Sequence, residues 1–172
     1  KESMPANRPL DLVFLNAPED DELRLALQKH LSPLERDGLL HAWSGDEISP
    51  GALAVEEARL ALERARVIVI FVSADLLASD QLAADVERAL LRWRRGEAQL
   101  VTVEARPVDW EQTPFHGLTP PGKHKPSINE VALSMADDLD RALAEIAARI
   151  RKAVVPLSPN PRRAHRCTAP MR

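Results

Sequence analysis

The run Val67-Ile68-Val69-Ile70-Phe71-Val72 constrains the fold of this chain more than any other segment. It is short, rich in β-branched residues, and shows no alternation between apolar and polar positions. Because a strand with one face in water would alternate, the run predicts a strand buried on both faces, as in a parallel sheet. Parallel strands need long crossover connections, which are usually helices. The segment therefore predicts an α/β fold.

The rest of the pattern alternates between short apolar runs and segments with helical spacing. The expected strands are 10–15, 39–43, 67–72 and 100–104, with a weak fifth at Ser127-Ile128. The expected helices begin at Glu19-Asp20-Asp21-Glu22 and then cover 53–65, 80–95 and 137–153. The first should end at Asp37-Gly38, where glycine suits a helix C-terminus. Strands that alternate with helices predict an open parallel sheet covered on both faces.

The length of 172 residues indicates one domain with tails. Residues 1–8 are expected to be an N-terminal tail or residues left over from cloning, with Met4 as the native start. We expect residues 9–154 to form the domain. We expect residues 155–172, which are rich in proline and arginine, to be a disordered tail or a linker.

Composition excludes several classes of protein. The net charge of −3 and the absence of tyrosine argue against nucleic-acid binding. No apolar run approaches the roughly 20 residues that span a bilayer. The single cysteine, Cys167, excludes an internal disulfide framework, and the five histidines show no metal-ligand spacing. We therefore expect no metal and no nucleic-acid or membrane partner, and the cysteine usage is consistent with a reducing compartment.

Ligands of open α/β sheets bind outside the carboxyl ends of the strands. Four segments are expected at that edge, namely 16–21, 44–51, 73–81 and the residues from Arg106 onward. No glycine spacing in the chain matches a dinucleotide-binding or Walker loop. A standard cofactor fingerprint is therefore not the basis of function here.

Five segments in order carry a family resemblance. They are Val13–Glu22, Ala42–Gly51, Phe71–Asp80, Arg88–Trp93 and Arg106–Phe115. This order resembles bacterial Toll/interleukin-1 receptor (TIR) domains, with Ile48-Ser49-Pro50-Gly51 similar to the end of the family's BB loop. The resemblance covers most of 10–154 and implies a flavodoxin-like open parallel sheet of five strands with helices on both faces. It also implies a cytoplasmic protein.

Active TIR domains hydrolyse NAD to nicotinamide and ADP-ribose, or to a cyclic form, in bacterial immune signalling. The resemblance implies that this NADase (NAD glycohydrolase) activity depends on self-association and on one glutamate of the helix after the third strand. Here that helix offers Asp85 and Glu87, which lie about 200° apart around a helix, so only one can face a pocket. Alignment permits either residue, and the longer reach of glutamate favours Glu87 as the catalytic carboxylate.

The resemblance also implies which residues line the NAD pocket: Asn16, Ala17, Asp46 and Ser73. Trp110 either lines the same pocket or packs a loop, and packing is favoured. Asn16 can hydrogen-bond a ribose or an amide, whereas Ala17 cannot stack on a base. Asp46 belongs to a Gly-Asp pair where many bacterial members have Asp-Arg, so that loop lacks a positive charge for phosphate. NAD would be a substrate, and no cofactor is expected.

Two other functions stay open at this point. Asn16, Ala17 and Ala83 differ from the residues that TIR enzymes usually have at these positions, which also fits a catalytically weak or inactive TIR adaptor. Such an adaptor would bind other TIR domains through residues 44–51 and work with a separate or fused sensor domain. A phospho-receiver domain has a similar sheet, but it needs a phosphorylatable aspartate at the end of the third strand. Asp75 lies beyond Ser73, in the following turn.

Overall fold

A computed structural model describes residues 9–43, 52–116 and 132–157, without the side chains of 52–55. Four features expected from sequence lie outside the described residues. They are the tail 1–8, the loop 44–51 with Asp46, the fifth strand at Ser127-Ile128, and the chain from 158 onward.

The described elements alternate as the sequence pattern predicts. The strands are β1 (Leu10–Leu15), β2 (Leu40–Trp43), β3 (Val67–Val72) and β4 (Gln99–Glu104). The helices are α1 (Asp21–Arg36), α2 (Ala52–Arg64), α3 (Ala74–Ala78), α4 (Asp80–Arg94) and α5 (Leu139–Val154). Short 3₁₀ turns occupy Pro18–Asp20, Trp110–Gln112, Leu133–Met135 and Val155–Leu157.

All pairings in the sheet are parallel, and the strand order is β2-β1-β3-β4. The predicted α/β class with a parallel sheet is confirmed, with four strands rather than five in the described part of the chain. Because β3 lies between β1 and β4, its backbone is hydrogen-bonded on both edges. All six residues of β3 are also buried, and burial on both faces explains why its sequence carries no polar residue.

The sheet is covered on both faces, as the sequence predicts. Alternate residues of β3 enter two separate apolar clusters: Val67, Val69 and Phe71 in one, and Ile68, Ile70 and Val72 in the other. The first cluster is closed by α1 and α5, and the second by α2 and α4. Each fully buried Val, Ile or Phe side chain contributes about 1.5–3 kcal/mol of transfer free energy, so β3 anchors both halves of the core.

Several element ends follow local rules. Gly38 has a φ of 71°, and its N–H donates to the carbonyl of Glu35, which ends α1 where the sequence predicts. One helix was not expected: α3 occupies part of the segment predicted as a turn after the third strand. The Oγ of Ser73 accepts a hydrogen bond from the N–H of Leu76, which stabilises the first turn of this short helix. Val155–Leu157 continues the ordered chain three residues into the predicted tail.

Candidate functional site

The carboxyl ends of β1, β3 and β4 are joined by a hydrogen-bonded network around Asp20. The Asp20 carboxylate, fully buried, accepts from Ser73 Oγ at 2.5 Å and from Arg106 Nε at 2.9 Å. Arg106 Nη2 also donates to the carbonyl of Glu19 at 3.2 Å. Ser73 directly follows β3, and Arg106 is the second residue after β4. The network therefore fixes the loop after β1 to the ends of two other strands.

A second buried contact closes the same edge beside β4. The indole Nε1 of Trp110 donates to Glu104 Oε2 at 3.0 Å, and both side chains are buried. The Trp110 ring meets Phe115 edge-on, with centroids 6.4 Å apart, and the Thr113 hydroxyl donates to the Trp110 carbonyl. The polar and apolar surfaces of this tryptophan are thus both engaged in packing the loop after β4.

The structure brings three of the five predicted pocket residues together after β1 and β3. Asn16 is half-buried, and its Nδ2 donates to Asp21 Oδ1 at 2.7 Å and to the carbonyl of Ala17 at 2.8 Å. Ala17 and Ser73 are buried. Trp110 lies at the same edge beyond β4, and Asp46 lies outside the described residues. Their contacts with a ligand stay a prediction, and Asn16, Ser73 and Trp110 already bond within the fold.

The two candidate carboxylates of α4 have different environments. Asp85 is half-buried, with 25% of its side chain exposed, whereas Glu87 is exposed. Burial raises the pKa of Asp85 above its ordinary value of 3.8, and the guanidinium of Arg88, 3.8 Å away, acts in the opposite direction. Leu82 and Ala89, one turn before and after Asp85, pack into the core. Asp85 therefore borders the packed face of α4, and Glu87 points to solvent.

The exposed charges at this edge are mostly negative. Helix N-termini in a parallel α/β fold lie at the carboxyl ends of the strands, and acidic residues are favourable there because of the helix dipole. The exposed acids in the loops and first helical turns of this edge are Glu19, Asp21, Glu22, Asp75, Asp80, Asp109, Glu111, Asp137, Asp138 and Asp140. Of the cations here, Arg106 is paired with Asp20, and Arg141 lies 3.8 Å from Asp138. An anionic ligand would meet repulsion from the described part of this edge.

A cavity of about 480 Å³ lies elsewhere, between α2 and the β1–β2 pair. Its lining residues are Pro9, Asp11, Val13, His41, Trp43, Glu57, Leu60, Ala61 and Arg64. The volume is within the range of small-molecule sites. However, the cavity follows the side of the sheet and includes residues from the start of β1, so it is separate from the Asp20 network. Trp43 is half-buried and forms part of this wall.

Among residues 9–43, 52–116 and 132–157, no three His, Cys, Asp or Glu side chains are grouped as a metal site requires. The helices of this same portion include none that is long and apolar enough to cross a bilayer.

Sequence reasoning did not find the two buried pairs that organise this edge. The cluster Glu19–Glu22 was expected only to start a helix, yet Asp20 is a buried ion-pair partner. A signal was present, since Asp20 and Arg106 each follow a predicted strand closely. Their contact could not be predicted because it depends on the order of strands in the sheet.

Comparison with known proteins adds one relative. No family model matches the chain. The chain is 30% identical over 144 residues to the "Uncharacterized protein y4lF" of Sinorhizobium fredii (strain NBRC 101917 / NGR234). The alignment covers 83% of this chain but 43% of the relative, so the chain spans less than half the length of the protein it matches.

Proposed function

We propose that this chain is a bacterial TIR-type signalling domain that hydrolyses NAD to nicotinamide and ADP-ribose, or a cyclic form, when assembled with copies of itself. The strand order β2-β1-β3-β4 is compatible with the flavodoxin-like sheet of that family, in which a fifth strand would follow β4. The five ordered sequence motifs support the finer assignment.

The observation that carries the catalytic proposal is the position of Asp85. The chemistry needs a carboxylate held against a partly desolvated surface, where its charge acts strongly on a developing cation. Asp85 is half-buried and borders the core, while Glu87 is exposed. We therefore assign the catalytic role to Asp85, although the greater reach of Glu87 favours that residue from sequence alone.

In the proposed reaction, the bond between nicotinamide and the ribose anomeric carbon breaks, and nicotinamide leaves as a neutral molecule. The ribose becomes oxocarbenium-like, and water then adds to the anomeric carbon and loses a proton. An ionised Asp85 would stabilise the positive charge and orient the ribose hydroxyls. Arg88 supports this role because its positive charge favours the ionised carboxylate.

The test is nicotinamide release by concentrated protein, with products separated by chromatography. Asp85→Asn should lower the rate on the order of a hundredfold or more, because the transition state loses its counter-charge. Glu87→Gln, the matched control on the same helix, should retain the activity. The opposite ranking would assign catalysis to Glu87, and an intact NAD pool with clustered wild-type protein would refute the hydrolase proposal.

The second candidate is a TIR adaptor that assembles without catalysis. Two observations favour it: the acidic character of the sheet edge, which opposes binding of a pyrophosphate, and the internal pairing of Asn16, Ser73 and Trp110. An adaptor would self-associate while leaving NAD intact. Pro50→His, in the loop 44–51, should then weaken association measured by light scattering; association equal to that of the wild type would exclude this use of the loop.

A further inference from the structure

The cavity of about 480 Å³ between α2 and the β1–β2 pair is explained by the position of β2 in the sheet. β2 has four residues and comes first in the order β2-β1-β3-β4, at one edge of the described sheet. α2 packs closer to the centre of the sheet, where Leu62 and Ala65 enter the same apolar cluster as the residues of β3 on that face. The side of α2 that faces β2 is therefore separated from it by the cavity.

Strand register explains the floor of this cavity. Val13 pairs with Trp43. Two residues earlier along both strands, Asp11 pairs with His41, and Asp11 Oδ1 lies 3.5 Å from His41 Nδ1. Because side chains alternate between the faces of a sheet and Val13 belongs to the cluster under α2, all four side chains are on the α2 face, where they line the cavity. The two strands thus present an apolar row and a polar row.

The two ends of the cavity differ in charge. Arg64 lies at the polar row, because the N–H of Arg66, two residues later, donates to the carbonyl of Asp11 at 2.8 Å. α2 runs antiparallel to the strands that it connects. Glu57, seven residues before Arg64, therefore lies about 10 Å away, towards the end with Trp43. Arg64 offsets the Asp11 carboxylate at one end, and of the described lining residues Glu57 supplies the charge at the other.

The end with Glu57 also carries apolar surface that water reaches. Trp43 is half-buried, and Leu60, three residues after Glu57 on α2, is 38% exposed. Both line the cavity together with Ala61. Covering such surface with an apolar group is favourable, and the face of an indole ring attracts cations. An indole and a carboxylate at one end of a half-enclosed space are therefore suited to an organic cation.

We propose that this cavity binds a small organic cation, a primary ammonium group carried on an apolar or aromatic body. The body packs on Trp43 and Leu60, and the ammonium group donates to the carboxylate of Glu57 in a charge-assisted hydrogen bond. An anion of the same shape is repelled by that carboxylate. Because the cavity is separate from the Asp20 network, the proposal depends neither on NAD cleavage nor on self-association.

NMR and titration calorimetry of the full chain test the site with probes of similar shape and different charge: phenethylamine, phenethyl alcohol and phenylacetate. The amine should shift the indole N–H resonance of Trp43 in a saturable way and leave those of Trp93 and Trp110 in place. It should bind about fivefold or more tightly than the neutral alcohol, and phenylacetate should bind most weakly. No saturable binding of the amine at millimolar concentration, or equal affinity for amine and alcohol, would overturn the proposal.

Two matched variants assign the preference to one carboxylate. Glu57→Gln should lower the affinity for phenethylamine to that for the alcohol and leave the affinity for the alcohol unchanged, because only the charge is removed. Glu63→Gln removes an exposed glutamate of the same helix that does not line this cavity, and it should bind all three probes as the wild type does. Both glutamates are exposed, so neither substitution disturbs the core. Equal losses in the two variants would contradict a site at Glu57.

Discussion

The guanidinium Nε of Arg106 lies 2.9 Å from the Oδ1 of Asp20, a carboxylate with no solvent-exposed surface. The two residues are 86 positions apart in sequence, and their contact ties the loop after β1 to the end of β4. Removing one member of such a pair leaves a buried charge without compensation, which costs more than the pair contributes when intact.

Arg106→Ala should therefore destabilise the fold by about 2 kcal/mol. This cost is smaller than that of breaking a fully buried ion pair, because 45% of the Arg106 side chain is exposed and water can replace part of the contact. Urea unfolding measures the change. Arg94→Ala, an exposed arginine on α4, should change the unfolding free energy by less than about 0.5 kcal/mol. Equal effects of the two substitutions would show that the Asp20 contact does not stabilise the protein.

Trp110→Phe should cost about 1–3 kcal/mol, because the buried Glu104 carboxylate loses the indole N–H as a donor. The double variant Trp110→Phe with Glu104→Gln provides the control. A neutral amide tolerates the lost donor better than a carboxylate, so a double-mutant cycle of unfolding free energies should show coupling of about 0.5 kcal/mol or more. Strict additivity would mean that the negative charge of Glu104 does not strengthen its bond with the indole N–H.

Gly96 follows α4 with a φ of +71°, and a Cβ added there would meet nothing within 4 Å. The cost of Gly96→Ala should therefore come from the backbone alone, at about 1–2 kcal/mol. Gly96→Asn should cost less, since asparagine adopts this conformation more readily. Thermal unfolding of the two variants measures the difference, and an alanine variant as stable as wild type would contradict the assigned backbone conformation.

The stability of the protein should depend on the ionisation of Asp85. Burial raises the pKa of this carboxyl above 3.8, so folding favours the protonated form. The resulting stabilisation is fully present below the unfolded pKa and is lost as pH rises through the folded pKa. Asparagine does not titrate, so the free energy of unfolding of Asp85→Asn minus that of the wild type should increase from about pH 3 to about pH 7. Urea midpoints of both proteins at the two pH values measure this increase.

Arg88→Met offers the matching control for that pH dependence. The Arg88 charge lowers the pKa of Asp85, so its removal should move the carboxyl titration, followed by NMR, to higher pH. A titration that is unchanged in Arg88→Met would exclude the proposed interaction across 3.8 Å.

The sequence predicted the bounds of β1 and β3 because strand propensity and apolar runs are local properties. It also predicted the end of α1 at Gly38, where a single residue permits the required backbone conformation. The short helix α3 was missed because its first turn depends on the capping hydroxyl of Ser73, whose position also depends on its bond to Asp20. Helical periodicity placed Asp85 and Glu87 on different faces but did not say which face meets the core.

By itself, then, the sequence determined that this chain alternates strands and helices around a parallel sheet whose central strand is buried on both faces. The tertiary structure decided which residues meet. The order β2-β1-β3-β4 brings Asp20, Ser73 and Arg106 together, and packing of α4 on the sheet leaves Asp85 half-buried and Glu87 exposed. The physical reason is that residue spacing fixes the periodicity of each element, whereas the positions of elements follow from burying all their apolar faces at once.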